Sequence, residues 1–213
     1  FFKDVYNKDQ EGFTYNPEKA KQLLDEAGYK DVDGDGLREN KDGSKLQINF
    51  AARTRDDANE SLVQQYLNWW KEIGLDVKLY TGRTIELNSF YDKIQADDSE
   101  IDVFAAGWST GYDPNPEGLF GETAKFNFER YVEPEGTAIM KKIASTDAFD
   151  SAKNVEFYKK WQKYVHDKAF IFPTLVGESI TAVNKRVKYY DVNLGSKKSA
   201  LYQVELTSDT AAK

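Results

Sequence analysis

Three stretches of the chain place side chains at spacings that chemistry can use. The first is GWSTG, residues 107–111, which matches the G-x-S-x-G pattern of a nucleophilic serine on a sharp strand-to-helix turn. The single histidine, His166, lies downstream in the order such a hydrolase requires, so a serine hydrolase acting through Ser109 is one reading. The neighbouring residues oppose it. Pro114 and Pro116 follow within seven residues of Ser109 and favour a loop where the elbow needs a helix. No HGGG-type oxyanion segment precedes the serine, and His166 falls near the end of the helical stretch VEFYKKWQKYVH, where a histidine is explained by the helix C-terminal dipole.

The second stretch is DVDGDGLRENKD, residues 31–42. Asp31, Asp33 and Asp35 supply oxygen donors at alternate positions and Gly36 follows at the sharp turn, as in the first half of a calcium loop. The second half departs from that pattern. Asp42 stands where a bidentate glutamate is usual, Arg38 puts positive charge into the loop, and a strand follows where a helix should exit. An Asp/Gly turn joining a helix to a strand is therefore preferred, with a structural calcium on Asp31, Asp33, Asp35 and Asp42 as the alternative. No other cofactor is expected.

The third stretch, GWSTGYDPNPEGLFGETAKFNFERY at 107–131, is too aromatic for an ordinary solvated loop. It holds Trp108, Tyr112, Phe120, Phe126, Phe128 and Tyr131 with four glycines, two prolines and few charges. Phe120, Phe126 and Phe128 suit the edge of a core as well as a ligand surface. Around Trp108 and Tyr112, Gly107 and Gly111 allow close approach of the backbone, and Pro114 and Pro116 stiffen it, so indole, hydroxyl and amide groups are free to face a cleft.

The rest of the composition narrows the function classes. Lys plus Arg number 29 against 36 Asp plus Glu, a formal charge of −7, and no basic stripe runs long enough to neutralise a series of phosphates, so nucleic acid is not expected as a partner. The absence of cysteine removes thiolate catalysis and Cys-ligated zinc, and one histidine excludes a His-rich metal site. No apolar run approaches the roughly 18 residues of a membrane span, and the opening FFKDVYNK carries no signal-peptide pattern and reads as internal to a longer chain.

The elements that must position these stretches follow from periodicity. Asn16 and Pro17 open a helix over 17–27 that Gly28 closes; Leu46, Ile48 and Phe50 alternate in a strand with one buried face. A helix over 56–73 carries Leu62, Tyr66, Trp69, Trp70 and Ile73 as its apolar stripe, with both tryptophans read as core and flank rather than as a sugar-stacking pair. A strand at 75–80 and a helix at 85–95 with Leu87, Phe90, Tyr91 and Ile94 inward come next, and the apolar run 101–106 reads as a central parallel strand. After the long loop, helices start at Pro134 and after Asp150, followed by strand-like IFPTLV and SITAVN, a strand at 201–206, and a frayed end. The charge runs KKIASTD and KNVEFYKKWQK read as solvated helix faces. Alternating strands and helices with such connections give an α/β fold in one domain, with a mainly parallel sheet flanked by helices, and ligands belong at the carboxyl ends of its strands, where the aromatic loop begins.

Four segments, YNPEKAKQLLDEAGYKDVDGDGLRE at 15–39, NWWKEIGLDVKL at 68–79, DVFAAGWSTGYDPNPEGLFG at 102–121 and FNFERY at 126–131, together resemble the extracellular solute-binding proteins of peptide ABC transporters, in the branch of large oligopeptide-binding proteins from Gram-positive bacteria. The resemblance implies the C-terminal lobe of a periplasmic-binding-protein-like fold, without the N-terminal lobe that would be its partner. It implies an oligopeptide as ligand, a membrane permease as further partner, and an extracellular lipoprotein as the whole protein. It also implies a ligand surface over Trp108, Ser109, Thr110, Gly111, Tyr112, Asp113 and Asn115, where main-chain hydrogen bonds hold the peptide, and no catalytic residue. Many relatives place an aspartate for the peptide's amino terminus where WSTGY has Gly111, and Asp113 is displaced from that position by two, so the amino terminus is not expected to be gripped tightly. A lobe selective for another solute, such as an oligosaccharide, is the competing binding reading, since sugar-binding relatives of this architecture also use tryptophans.

Overall fold

A computed structural model describes residues 4–108, 113–177, 180–191 and 201–210, and contacts divide the chain into two units, Phe1–Ile171 and Phe172–Lys213. The first unit runs α1 (Pro17–Ala27), β1 (Gln47–Ala52), α2 (Asp57–Glu72), β2 (Asp76–Leu79), α3 (Leu87–Gln95), β3 (Val103–Ala105), a single turn α4 (Glu117–Phe120), α5 (Pro134–Ile143), a 3-10 turn Thr146–Phe149 and α6 (Ser151–Lys168). The second holds β4 (Val187–Lys188) and β5 (Glu205–Leu206), an antiparallel pair.

The helix boundaries follow from their caps. Asn16 accepts from the Lys19 N–H at 2.9 Å to open α1, and Gly28, at φ +93°, closes it with hydrogen bonds onto the last turn. Asp56 and Asp150 cap α2 and α6 in the same way, and Glu86 accepts from the Asn88 and Ser89 N–H groups at the start of α3. Pro134 opens α5 as predicted, and Gly136 lets α5 close on α6: a Cβ there would lie 2.8 Å from the Tyr164 ring.

The sheet order is β2-β1-β3, all parallel. This corrects two expectations. β1 is the central strand, and its carboxyl half, Phe50, Ala51 and Ala52, is buried on both faces; the apolar run ending in β3 is an edge that pairs only with β1 and leaves Val103 exposed. One face of β1 packs Phe50 and Ala52 on Val63, Tyr66, Leu67 and Trp70 of α2. The other packs Ala51 with Ile85, Phe90, Ile94 and Phe128. Trp70 lies edge-on to Phe50, while Trp69 sits at the surface between Tyr15 and Tyr66, so only one of the pair is core. Leu87, at the first position of α3, is exposed rather than inward. A separate cluster of Met140, Ile143, Tyr158, Trp161 and Tyr164 joins α5 to α6, and most lysines of α6 pair with nearby carboxylates, as a solvated helix face should.

The strand-like segments of the second unit do not form strands among the described residues. IFPTLV is without regular structure, and Leu175, Val176 and Ile180 are 78%, 95% and 96% exposed. Alternating apolar residues favour extension, but a strand exists only when another strand takes its backbone hydrogen bonds.

Candidate functional site

Strand order fixes where a site belongs. The chain passes from β1 through α2 to β2 on one side and returns through α3 to β3 on the other, so the carboxyl ends of β1 and β3 diverge into a crevice, the switch point at which open α/β sheets bind ligands. Leaving β1 are Arg53, Thr54 and Arg55; leaving β3 are Ala106, Gly107 and Trp108.

Trp108 is partly buried against an aromatic group, with ring centroids 5.3 Å from Phe128, 5.5 Å from Phe126 and 6.4 Å from Tyr91. The Tyr91 hydroxyl donates to the Gly107 carbonyl at 3.2 Å, which ties the end of β3 to α3. Phe128 belongs to the core, whereas Phe126 is 45% exposed and extends the indole surface outward. Phe120, by contrast, packs on Trp161 and Phe170 in the α5–α6 cluster. The loop aromatics thus divide between core and surface.

Of the expected ligand surface, Ser109, Thr110, Gly111 and Tyr112 lie outside the described residues. Asp113 and Asn115 each commit a side-chain oxygen to a local turn: Asp113 accepts from the Asn115 N–H and Asn115 from the Glu117 N–H, both at 3.0 Å, and together they lead into α4. Burial, with the Asp113 charge as a second contribution, pushes the Tyr158 phenol up to about 12, which places Asp113 on the α6 side of the loop.

Residues that periodicity did not single out hold this surface together. The Asn127 amide donates to the Gly121 carbonyl at 3.1 Å and joins α4 to the FNF turn. Arg130, in the left-handed region at φ +51°, donates to the Ile94 and Gln95 carbonyls at the C-terminus of α3 and pairs with Asp97 at 3.1 Å. Asn127 Oδ1 and Glu129 Oε2 are buried without a hydrogen-bond partner, and burial raises the Glu129 carboxyl above the ordinary glutamate range. No spacing rule reveals such groups; they follow from the tertiary turn alone.

The elbow geometry is absent. Residues 113–115 are neither helix nor strand, the next helix begins at Glu117, and His166 lies late in α6, stacked on Phe13 at 4.2 Å and beside Asp167.

The Asp/Gly loop lies near the amino ends of the strands, away from the crevice. Asp31, Asp33 and Glu39 bring carboxylate oxygens within 4.8 Å of one another. Asp35 instead pairs with Lys45 at 3.1 Å, and Asp42 accepts from the Ser44 N–H and hydroxyl, so neither joins that group. Asp31 accepts from the Gly34 and Gly36 N–H groups, the bonds of a self-contained turn. Arg38 points out of the loop into a groove of about 520 Å³ between α1 and α2, where it donates to Ile73, Tyr29 and Asp25.

Comparison with known proteins agrees with this architecture. The family model described as bacterial extracellular solute-binding proteins, family 5 Middle, matches residues 1–130. The oligopeptide-binding protein OppA of Lactococcus lactis subsp. lactis (strain IL1403) is 33% identical over 214 residues, covering 99% of this chain and 35% of that protein. The structure of lactococcal OppA complexed with an endogenous peptide in the closed conformation superposes with a TM-score of 0.75 at 31% identity, over 79% of this chain and 32% of that one. The structure of the oligopeptide-binding protein AppA from Bacillus subtilis in complex with a nonapeptide gives 0.67 at 25% identity, over 78% and 33%. The chain therefore spans about a third of the length of the relatives it matches. Nothing in these likenesses points to a serine hydrolase.

Proposed function

The chain belongs to the bacterial extracellular solute-binding proteins of family 5, and from that premise we propose that it forms one wall of an oligopeptide cleft in the binding component of an ABC importer. The observation that carries this reading is the aromatic surface of Trp108 and Phe126 at the switch point of the parallel sheet, in a chain whose relatives are oligopeptide-binding proteins. On this reading the chain is the C-terminal lobe of a two-lobed protein. Its partners are the N-terminal lobe and a membrane permease, and the whole protein is a cell-surface lipoprotein that binds and does not catalyse.

Mass spectrometry of material co-purifying with the full-length protein tests the ligand class. A ladder of peptides is the expected result, and a sugar would replace this reading with the oligosaccharide alternative. Gly111 carries a finer expectation: with no carboxylate at that position, free and N-acetylated forms of one peptide should bind with equal affinity. A large loss on acetylation would show that another group grips the amino terminus.

A further inference from the structure

The six arginines of the chain fall into two classes. Arg38 and Arg130 commit their guanidinium groups to helix carbonyls and carboxylates, and Arg186 to the Ser208 and Asp209 carbonyls. Arg53, Arg55 and Arg83 have no hydrogen bond or ion pair from the guanidinium. All three lie at the carboxyl edge of the sheet: Arg53 and Arg55 leave β1, and Arg83 leads from β2 into Thr84 and Ile85, which pairs in parallel with Arg53.

Arg53 differs from the other two. It is partly buried where they are exposed, and strand alternation fixes its face. Phe50 and Ala52 pack toward α2 and Ala51 toward α3, so Arg53, two residues after Ala51, rises on the α3 side. Trp108 and Phe128 pack on that same side. In register, Ala52 lies opposite Ala105, which sets Arg53 level with Ala106, two residues before Trp108. The nearby carboxylates are otherwise engaged: Asp56 caps α2, Glu60 accepts from Thr84, and Glu86 caps α3. A partly desolvated guanidinium without a counterion is costly, and its rigid fork matches a carboxylate.

We propose that Arg53 is a carboxylate-binding residue of the ligand surface, taking the C-terminal carboxylate or an acidic side chain of a peptide whose apolar part rests on Trp108 and Phe126. The assignment rests on the peptide-binding reading above and adds to it a preference for ligand charge. Recognition of charge then resides in the exit of the central strand, which the described structure fixes by pairing on both sides.

The test uses full-length protein and calorimetric titration with one peptide sequence in three forms. The first is N-acetylated, C-amidated and free of acidic side chains; the second has a free C-terminal carboxylate; the third is amidated with one internal glutamate. In the wild type, at least one carboxylate-bearing form should bind about 10- to 100-fold more tightly than the neutral form, as a charge-assisted contact implies. Which form gains identifies the source of the carboxylate. Arg53→Gln should erase that gain and leave the neutral form within about twofold of its wild-type affinity, while Arg53→Lys should keep part of it. Equal binding of all three forms by the wild type, a gain that survives Arg53→Gln, or equal weakening of all three forms in a variant with an unchanged thermal melt would overturn the assignment. Should Arg53→Gln not fold, loss of the gain or its full retention in Arg53→Lys decides for or against in the same way. If the wild type binds none of the peptides, the peptide-binding reading itself falls, and the assignment with it.

Discussion

Replacing Arg38 with alanine tests how the amino edge of the sheet is held. Its guanidinium is buried and donates from Nε to the Ile73 carbonyl at 2.8 Å and from Nη1 to the Tyr29 carbonyl and the Asp25 carboxylate, while its backbone N–H donates to Gly74 at 2.8 Å. These acceptors lie at the C-terminal ends of α1 and α2, so one side chain supplies positive charge to two helix dipoles. Each bond from a charged donor to a carbonyl contributes about 1.5–3 kcal/mol. The groove is open to water, which will solvate the abandoned carbonyls, so the lower end applies to both. Asp25 is more than half exposed, and its pairing adds at most about 1 kcal/mol. The alanine variant should therefore lose about 3–4 kcal/mol.

Urea denaturation followed by far-UV circular dichroism measures this loss directly, as a shift in midpoint at constant slope, and a thermal scan should show a fall of roughly 6–12 °C. Arg38→Lys should recover less than half of the loss, because one ammonium on a flexible stem cannot serve the Ile73 and Tyr29 carbonyls together. A loss under about 1 kcal/mol for Arg38→Ala would refute the reasoning, since it would mean that water substitutes fully for the guanidinium at both helix ends.

In the full-length protein, Trp108→Ala should weaken peptide binding about tenfold with little change in the far-UV spectrum, whereas Phe128→Ala should cost about 3–5 kcal/mol of stability; comparable melts for the two would contradict the division between surface and core. Gly136→Ala should destabilise by about 1–3 kcal/mol in urea titration, because the new methyl group meets the Tyr164 ring across α5 and α6. Burial raises the Tyr158 and Tyr164 phenols from 10.0 to about 12. The folded state then holds protons that the unfolded chain releases, so stability should be constant below pH 10 and fall between pH 10 and 12, a loss that Tyr164→Phe should reduce. We propose that the 31–42 loop keeps its turn without a cation; calcium titrated into metal-free protein should give no saturable heat, and an isotherm abolished by Asp33→Ala would refute this.

How much of this was legible in the sequence depends on whether a feature is local. The caps at Asn16, Asp56 and Asp150 and the stripe ending in Trp70 could be read directly, because a helix satisfies its own backbone and its period is visible in one segment. The alternating apolar residues of 171–176 have the same character as those of 45–52, yet only the latter found partners on both sides. Pairing is a property of two segments, and strand order of three. That is why the apolar run ending at Ala106 read as central although β3 is an edge. Trp108 was legible because its neighbours are unusual in composition. Arg53 was not: between two ordinary dipeptides, nothing marks it until register and alternation set it on the face of the sheet that carries Trp108.

These two residues suggest how selectivity and tolerance divide in such a cleft. Main-chain hydrogen bonding and an aromatic surface accept many peptides, because every residue has a backbone and most have apolar atoms. A fixed charge is the element that discriminates, since a partly buried guanidinium left without an anion is penalised when the wrong ligand binds. With glycine at 111, the amino end of a ligand loses its expected partner, while an unpaired arginine stands at the exit of the central strand. On these grounds a double variant, Gly111→Asp with Arg53→Gln, should invert the preference in the full-length protein. N-acetylation should then weaken binding about tenfold or more, and C-amidation should have no effect. Retention of the wild-type pattern in calorimetric titration would mean that neither position sets the charge selectivity of the cleft.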